Sequence, residues 1–175
     1  AGHCGATGRA IRAGLERFAG LRRRIELVRD DSGLAVIDDY AHHPTELTAT
    51  LATVRQMFPS RRLWCVFQPH QASRTDRFME EFAHSLQNAD KIIVAEIFPA
   101  RESVDDLPNV TAAMLARRAV ELGGDVVQLP SAGEIEEHLQ QRLQAADVLV
   151  TVGAGDIGKI AHGFGQGLRT FRKAG

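Results

Sequence analysis

The feature that most constrains this chain is a regular alternation of short apolar runs with segments of helical periodicity. The apolar runs predict strands at 24–28, 34–37, 62–67, 91–97, 125–129 and 147–152. The periodic segments predict helices at 44–58, 73–88, 109–122, 131–143 and 156–172. Strands that alternate with helices form βαβ units, and strands that are apolar throughout are covered by helices on both faces. We therefore predict an α/β fold, a Rossmann-like, doubly wound and mostly parallel sheet.

The N-terminal part of the chain departs from this alternation in two ways. The segments 24–28 and 34–37 flank a short polar turn that ends in glycine, which predicts a β-hairpin. Before it, residues 6–18 have the apolar spacing of an amphipathic helix. Such a helix cannot bury its own apolar face, so it either docks on the main body or is the tail of an upstream domain.

Composition excludes several classes of protein. The 175 residues fit one domain with room for a fragment of another. The formal net charge of −1 provides no positive electrostatic field that would attract nucleic acid. No apolar run approaches the roughly 18 residues of a membrane span, and the N-terminus lacks the apolar core of a secretory signal. Cys4 and Cys65 lack the spacing of a zinc site or a disulfide framework. We expect a cytoplasmic domain without nucleic-acid or membrane partners.

Polar residues gather where the predicted strands end, the edge at which open α/β sheets bind ligands. The densest segment is Asp38-Asp39-Tyr40-Ala41-His42-His43. An acid there can accept hydrogen bonds from ribose hydroxyls or face nucleotide-bound magnesium, and an aromatic ring can stack on a base. A solvated loop with His43 as a helix cap is an equally compatible interpretation.

A second polar loop, 68–71, opens the helix predicted at 73–88. Free backbone N–H groups at that helix start, together with Arg74, would form an anion site. The alternative is an exposed first-turn arginine, but its charge opposes the helix dipole, which favours a function. Ser73 with Asp76 is close to a capping box, and Ser131 with Glu134 forms a complete one.

The glycine-rich segment 153–159, Gly-Ala-Gly-Asp-Ile-Gly-Lys, fits two phosphate-binding patterns incompletely. As a dinucleotide fingerprint it lacks a following strand that ends in an acid. As a P-loop it has Ile160 where a metal-binding hydroxyl is needed. The simpler interpretation is a turn that allows close packing or brings backbone near a ligand.

Taken together, the segments DDYAHHPTE, FQPH, SRT and GAGDIGK, in this order and spacing, resemble the C-terminal domain of the ATP-dependent Mur ligases of peptidoglycan synthesis. The segment ERFAGLRRRIE resembles the junction between that domain and the family's central ATPase domain. The resemblance implies that residues 1–20 are a remnant of the central domain and that residues 21–175 form the C-terminal domain.

The resemblance also implies a reaction. The members most similar to this chain use ATP to phosphorylate the carboxyl group of UDP-N-acetylmuramate, and the amine of L-alanine attacks the acyl phosphate. The cofactors would be ATP and Mg²⁺, with the metal ligands mainly in the central domain, so the isolated C-terminal domain would be inactive. Two alternatives stay open: a recycling ligase that attaches a preformed peptide, and a stand-alone nucleotide-binding module without catalysis.

Residue by residue, the resemblance assigns two groups of contacts and no metal ligand. Around the nucleotide, Asp39 would bind the ribose with Tyr40 and His42 beside it, and Arg24 would reach the γ-phosphate; Arg24 and His42 are the implied catalytic residues. Arg74 would meet the amino-acid carboxylate. Weaker substrate contacts are implied for His70, Ser73, Gly153 and Gly155. One departure is Gln71, which stands where the family often has arginine.

Overall fold

The computed structural model describes residues 2–18, 20–31, 33–102 and 109–167. Within these ranges six strands form one sheet. They are β1 (Glu26–Asp30), β2 (Leu34–Asp39), β3 (Leu63–Phe67), β4 (Lys91–Ala95), β5 (Val126–Leu129) and β6 (Asp147–Val152). The α-helices are α1 (Gly8–Glu16), α2 (Pro44–Met57), α3 (Ala72–Arg77), α4 (Met79–Leu86), α5 (Ala112–Glu121), α6 (Ala132–Arg142) and α7 (Gly158–Gly165).

The sheet has the order β1-β2-β6-β3-β4-β5, in which the last strand lies between the second and the third. The neighbours from β2 to β5 are parallel. Strand β1 is antiparallel to β2 and completes the predicted hairpin. The predicted fold class is therefore confirmed.

Helices cover both faces of the sheet, and the central strands contribute side chains alternately to each face. Cys65 and Phe67 of β3 join the core beneath α2, α4 and α5, whereas Trp64 and Val66 join the core beneath α6 and α7. This two-sided burial explains why the strands are apolar throughout. Burial also raises the pKa of Cys65 to about 12, so its thiol is unreactive core.

The prediction of a single helix over 73–88 is wrong. The helix is broken at Phe78, where φ is −117° and ψ is 26°, into α3 and α4. The ring of Phe78 packs edge-to-face on His43 with centroids 4.8 Å apart. The near capping box of Ser73 and Asp76 is absent, and the N-cap of α3 is Gln71, which has no side-chain capping bond.

Other boundaries move by a few residues. The helix predicted at 6–18 is observed as α1. The helix predicted at 109–122 begins at Ala112, with Thr111 as its N-cap. The last helix ends at Gly165, and part of the range predicted for it lies outside the described residues. The capping box of Ser131 and Glu134 is confirmed. His43 caps α2 in a second capping box, with Glu46. No helix within the described ranges is long and apolar enough to cross a membrane.

The start of α7 requires glycine. A Cβ added at Gly158 would lie 2.5 Å from Oδ2 of the buried Asp38, whose carboxylate is held by other side chains. We expect Gly158→Ala to lower the free energy of unfolding by about 2 kcal/mol, as overpacking does. Chemical denaturation measures it. The control is Gly133→Ala in α6, where the added Cβ meets nothing within 4 Å; that variant should be up to about 1 kcal/mol more stable. Equal stabilities would contradict the prediction.

Candidate active site

Four loops meet at the carboxyl edge of the sheet, because β2, β6, β3 and β4 are neighbours and parallel. Backbone hydrogen bonds connect them. The amide of Gly153, after β6, donates to the carbonyl of Asp39 at the end of β2 over 3.1 Å. The amide of Gln71, after β3, donates to the carbonyl of Phe98, after β4, over 2.9 Å. The polar residues that follow separate strands therefore form one surface.

Aromatic and imidazole rings form a row on this surface. Tyr40 and His42 meet edge-to-face with centroids 5.6 Å apart, and His42 lies 5.7 Å from His70. His70 stacks on Phe98 at 5.7 Å with an interplanar angle of 17°. Burial, followed by the positive charge of Arg74, lowers the pKa of His70 below its ordinary value. The row therefore offers exposed ring surface and, at His70, a neutral imidazole at physiological pH.

Basic side chains lie at both ends of the row. At one end the Tyr40 ring has the guanidinium carbons of Arg23 and Arg24 at 4.9 and 5.8 Å from its centroid. Arg24 is exposed and can reach an anionic ligand. At the other end Nη1 of Arg74 lies 3.3 Å from Nδ1 of His70. The predicted residues Arg24, Tyr40, His42, His70 and Arg74 are thus brought together.

Asp39, the residue predicted to bind the ribose, has a buried carboxylate with partners inside the domain. It is 3% exposed, and its carboxylate accepts hydrogen bonds from the amides of Ile25 and Ala41, at 2.7 and 2.8 Å, and from the hydroxyl of Thr50 at 3.2 Å. These donors belong to the segment before β1, the loop after β2 and α2. The carboxylate therefore joins three parts of the domain, and the ribose contact stays a prediction.

The anion site predicted at the start of α3 is also occupied, by a carboxylate of the same chain. The carboxylate of Glu102 accepts the amides of Ala72 and Ser73, at 2.6 and 3.0 Å, and the hydroxyl of Ser73. Burial alone would raise the pKa of Glu102, but these hydrogen bonds lower it below its ordinary value. The prediction of free amides is therefore wrong, whereas the substrate contact of Ser73 stays a prediction. Arg74 lies half-buried beside His70.

The glycines of the loop 153–155 are explained by close packing. Gly153 has φ of 154°, and an added Cβ would lie 2.8 Å from the carbonyl oxygen of Gln68. A Cβ at Gly155 would overlap the side chains of Gln68 and Phe98. Both glycine carbonyls accept hydrogen bonds from Arg23. The substrate contacts implied for these glycines stay a prediction.

Comparisons with known proteins identify the family of this chain. Residues 23–155 match the family described as Mur ligase, glutamate ligase domain. The chain belongs to the Mur ligase family. Its relatives include the UDP-N-acetylmuramate–L-alanine ligases of Salinibacter ruber, 43% identical over 88% of this chain and 32% of the relative, and of Desulfitobacterium hafniense, 42% identical over 85% and 33%. This chain thus spans about a third of the length of these relatives.

Solved Mur ligases have the same fold. The UDP-N-acetylmuramate–alanine ligase of Thermotoga maritima matches with a TM-score of 0.78 and 27% identity, over 95% of this chain and 34% of that one. A murein peptide ligase of Psychrobacter arcticus matches with a TM-score of 0.66 and 26% identity, over 85% and 30%.

Two residues of this Mur ligase domain were missed by sequence reasoning. Arg23 and Glu102 make the polar contacts that organise the surface, yet no motif distinguishes either of them. A further group, Glu26, Asp38 and His162, brings possible ligand atoms within 4.8 Å of one another. Because the Arg23 guanidinium already bonds to Asp38, its charge opposes a metal ion there, and we assign none.

Proposed function

We propose that this chain is the C-terminal domain of an ATP-dependent ligase that joins L-alanine to UDP-N-acetylmuramate in peptidoglycan synthesis. The observation that carries the proposal is the single surface on which a row of rings separates Arg24 from Arg74. The names of the relatives support the choice of substrates. Such a reaction, on ATP and a UDP-linked sugar, is a cytoplasmic one.

The two ends of the row suit two different anions. Arg24 would neutralise charge that develops on the γ-phosphate as the acyl phosphate forms, while Tyr40 and His42 lie beside the nucleotide. Arg74, supported by the neutral His70, would hold the carboxylate of the amino acid so that its amine faces the acyl phosphate. Mg²⁺ would be held mainly by the central domain, because this surface is basic.

The N-terminal residues fit a role at a domain junction. Leu15 and Phe18 are 69% and 62% exposed, and α1 buries none of its residues. The family match begins only at residue 23. We therefore propose that residues 1–20 belong to the end of the central domain and that residues 21–175 are the C-terminal domain, which packs against it.

An assay of the full-length protein tests the function. Phosphate release from ATP should require both UDP-N-acetylmuramate and L-alanine, and mass spectrometry should find the amide product. A parallel reaction offers L-alanyl-γ-D-glutamyl-meso-diaminopimelate instead of L-alanine. Faster ligation of that peptide would favour the recycling ligase, whereas nucleotide binding without any turnover would favour a binding module.

The chain by itself should neither hydrolyse ATP nor ligate, because it lacks a complete P-loop to supply the main phosphate contacts. Calorimetry with ATP and magnesium should give a Kd no tighter than about 1 mM. Micromolar binding, or any turnover by the 175 residues alone, would contradict this division of the site between domains.

A further inference from the structure

We propose that Arg23 is a positioning residue that holds the junction turn, residues 21–25, against the glycine loop and thereby fixes the place of Arg24. The inference rests on the proposed function, because Arg24 is the arginine proposed to meet the γ-phosphate. It gives Arg23 a role separate from those of its neighbours Arg22 and Arg24.

The guanidinium of Arg23 contacts three acceptors at once. Its Nε donates to Oδ2 of Asp38 over 3.0 Å, its Nη2 to the carbonyl of Gly153 over 2.6 Å, and its Nη1 to the carbonyl of Gly155 over 3.1 Å. Asp38 is completely buried, and its other oxygen accepts the hydroxyl of Thr151 at 2.8 Å. Only a planar fork of N–H groups can satisfy acceptors arranged in this way; the ammonium of lysine cannot.

The backbone around Arg24 is strained and is held from both sides. Arg23 has φ of 56° and the β-branched Ile25 has φ of 47°, a region that such residues rarely adopt. The carbonyl of Arg23 accepts the amide of Tyr40 at 2.8 Å, and the amide of Ile25 donates to Asp39. Strain of this kind persists only where surrounding contacts determine it, and Arg23 provides several of them.

These contacts fix the backbone position of Arg24. Its exposed side chain contacts the Tyr40 ring, with the guanidinium carbon 5.8 Å from the ring centroid, and it extends from a backbone position that the Arg23 contacts hold. A catalytic charge that is held in place before the substrate arrives stabilises the transition state without further ordering. Loss of the Arg23 contacts should therefore reduce the rate of acyl-phosphate formation and leave the distant amino-acid contact intact.

The first experiment compares Arg23→Ala, Arg23→Lys and the exposed control Arg22→Ala in the full-length ligase. We expect Arg23→Ala to lower kcat about tenfold or more, with KM for L-alanine changed less than twofold. Arg23→Lys should not restore the rate, and Arg22→Ala should behave as wild type. Full rescue by lysine, an equal loss in Arg22→Ala, or a lower Tm with unchanged kcat would overturn the proposal.

The second experiment does not depend on activity. In hydrogen exchange of the same variants, Arg23→Ala should expose the amides of Ile25, Tyr40 and Gly153, while the amides of β3 and β4 keep their protection. Unchanged exchange at those three amides would show that Arg23 does not hold the turn. If the wild type fails to ligate, the proposed function is wrong, and the exchange result still decides whether the junction turn is held by Arg23.

Discussion

Replacing Arg74 with alanine in the full-length enzyme should raise KM for L-alanine by a factor of about 10–100. The factor corresponds to the loss of a hydrogen-bonded contact with a charged group, about 1.5–3 kcal/mol. The amides of Ala72 and Ser73 at the start of α3 already donate to Glu102, so they cannot replace Arg74 in binding the substrate carboxylate. That turn contains no second cation. Gln71, where the family often has arginine, cannot supply charge either. KM for ATP should change less than twofold, because the proposed nucleotide contacts lie at the other end of the row.

Steady-state kinetics with three variants tests this expectation. Arg74→Lys keeps the charge but loses the bidentate geometry, so its KM for L-alanine should lie between wild type and Arg74→Ala. Arg77→Ala, in the same helix but with its guanidinium over the Phe78 ring, is the matched control and should leave KM unchanged. If KM for L-alanine is the same in wild type, Arg74→Lys and Arg74→Ala, the prediction is wrong and Arg74 is a solvated surface residue.

Asp39→Ala should lower the free energy of unfolding of the chain, and not only weaken nucleotide binding. The substitution leaves the amides of Ile25 and Ala41 and the hydroxyl of Thr50 without their acceptor in a buried site. A buried unsatisfied donor costs about 1–3 kcal/mol, so a loss of about 3 kcal/mol or more in the free energy of unfolding is expected. For a chain of this size the loss corresponds to a decrease in Tm of about 6–12 °C.

Thermal denaturation of the 175-residue chain measures this effect without any substrate. Asp76→Ala is a suitable control, since Asp76 is exposed on α3 and its removal should change Tm by no more than about 2 °C. An Asp39→Ala protein with wild-type Tm and a raised KM for ATP in the full-length enzyme would favour ribose binding over the structural role.

Much of the fold could be predicted because it is encoded locally. Strand β3 is apolar at every position, which is sufficient to predict a strand that is covered on both faces. The capping box of Ser131 and Glu134 lies within four residues and fixes the start of α6. The break at Phe78 could not be predicted in this way, because helical periodicity continues across it and the contact with His43 comes from another element.

The sequence by itself also determined that polar residues would collect at one edge of the sheet, since parallel strands end on the same side. Only the tertiary structure decided what each residue does there. Strand β6 lies between β2 and β3, which brings the carbonyl of Gly153 to Arg23 across 130 residues of sequence. That insertion selects Arg23 from three adjacent arginines and buries Asp38 beside it. A hydrogen bond between residues so far apart depends on the order of the strands, and no local pattern records that order.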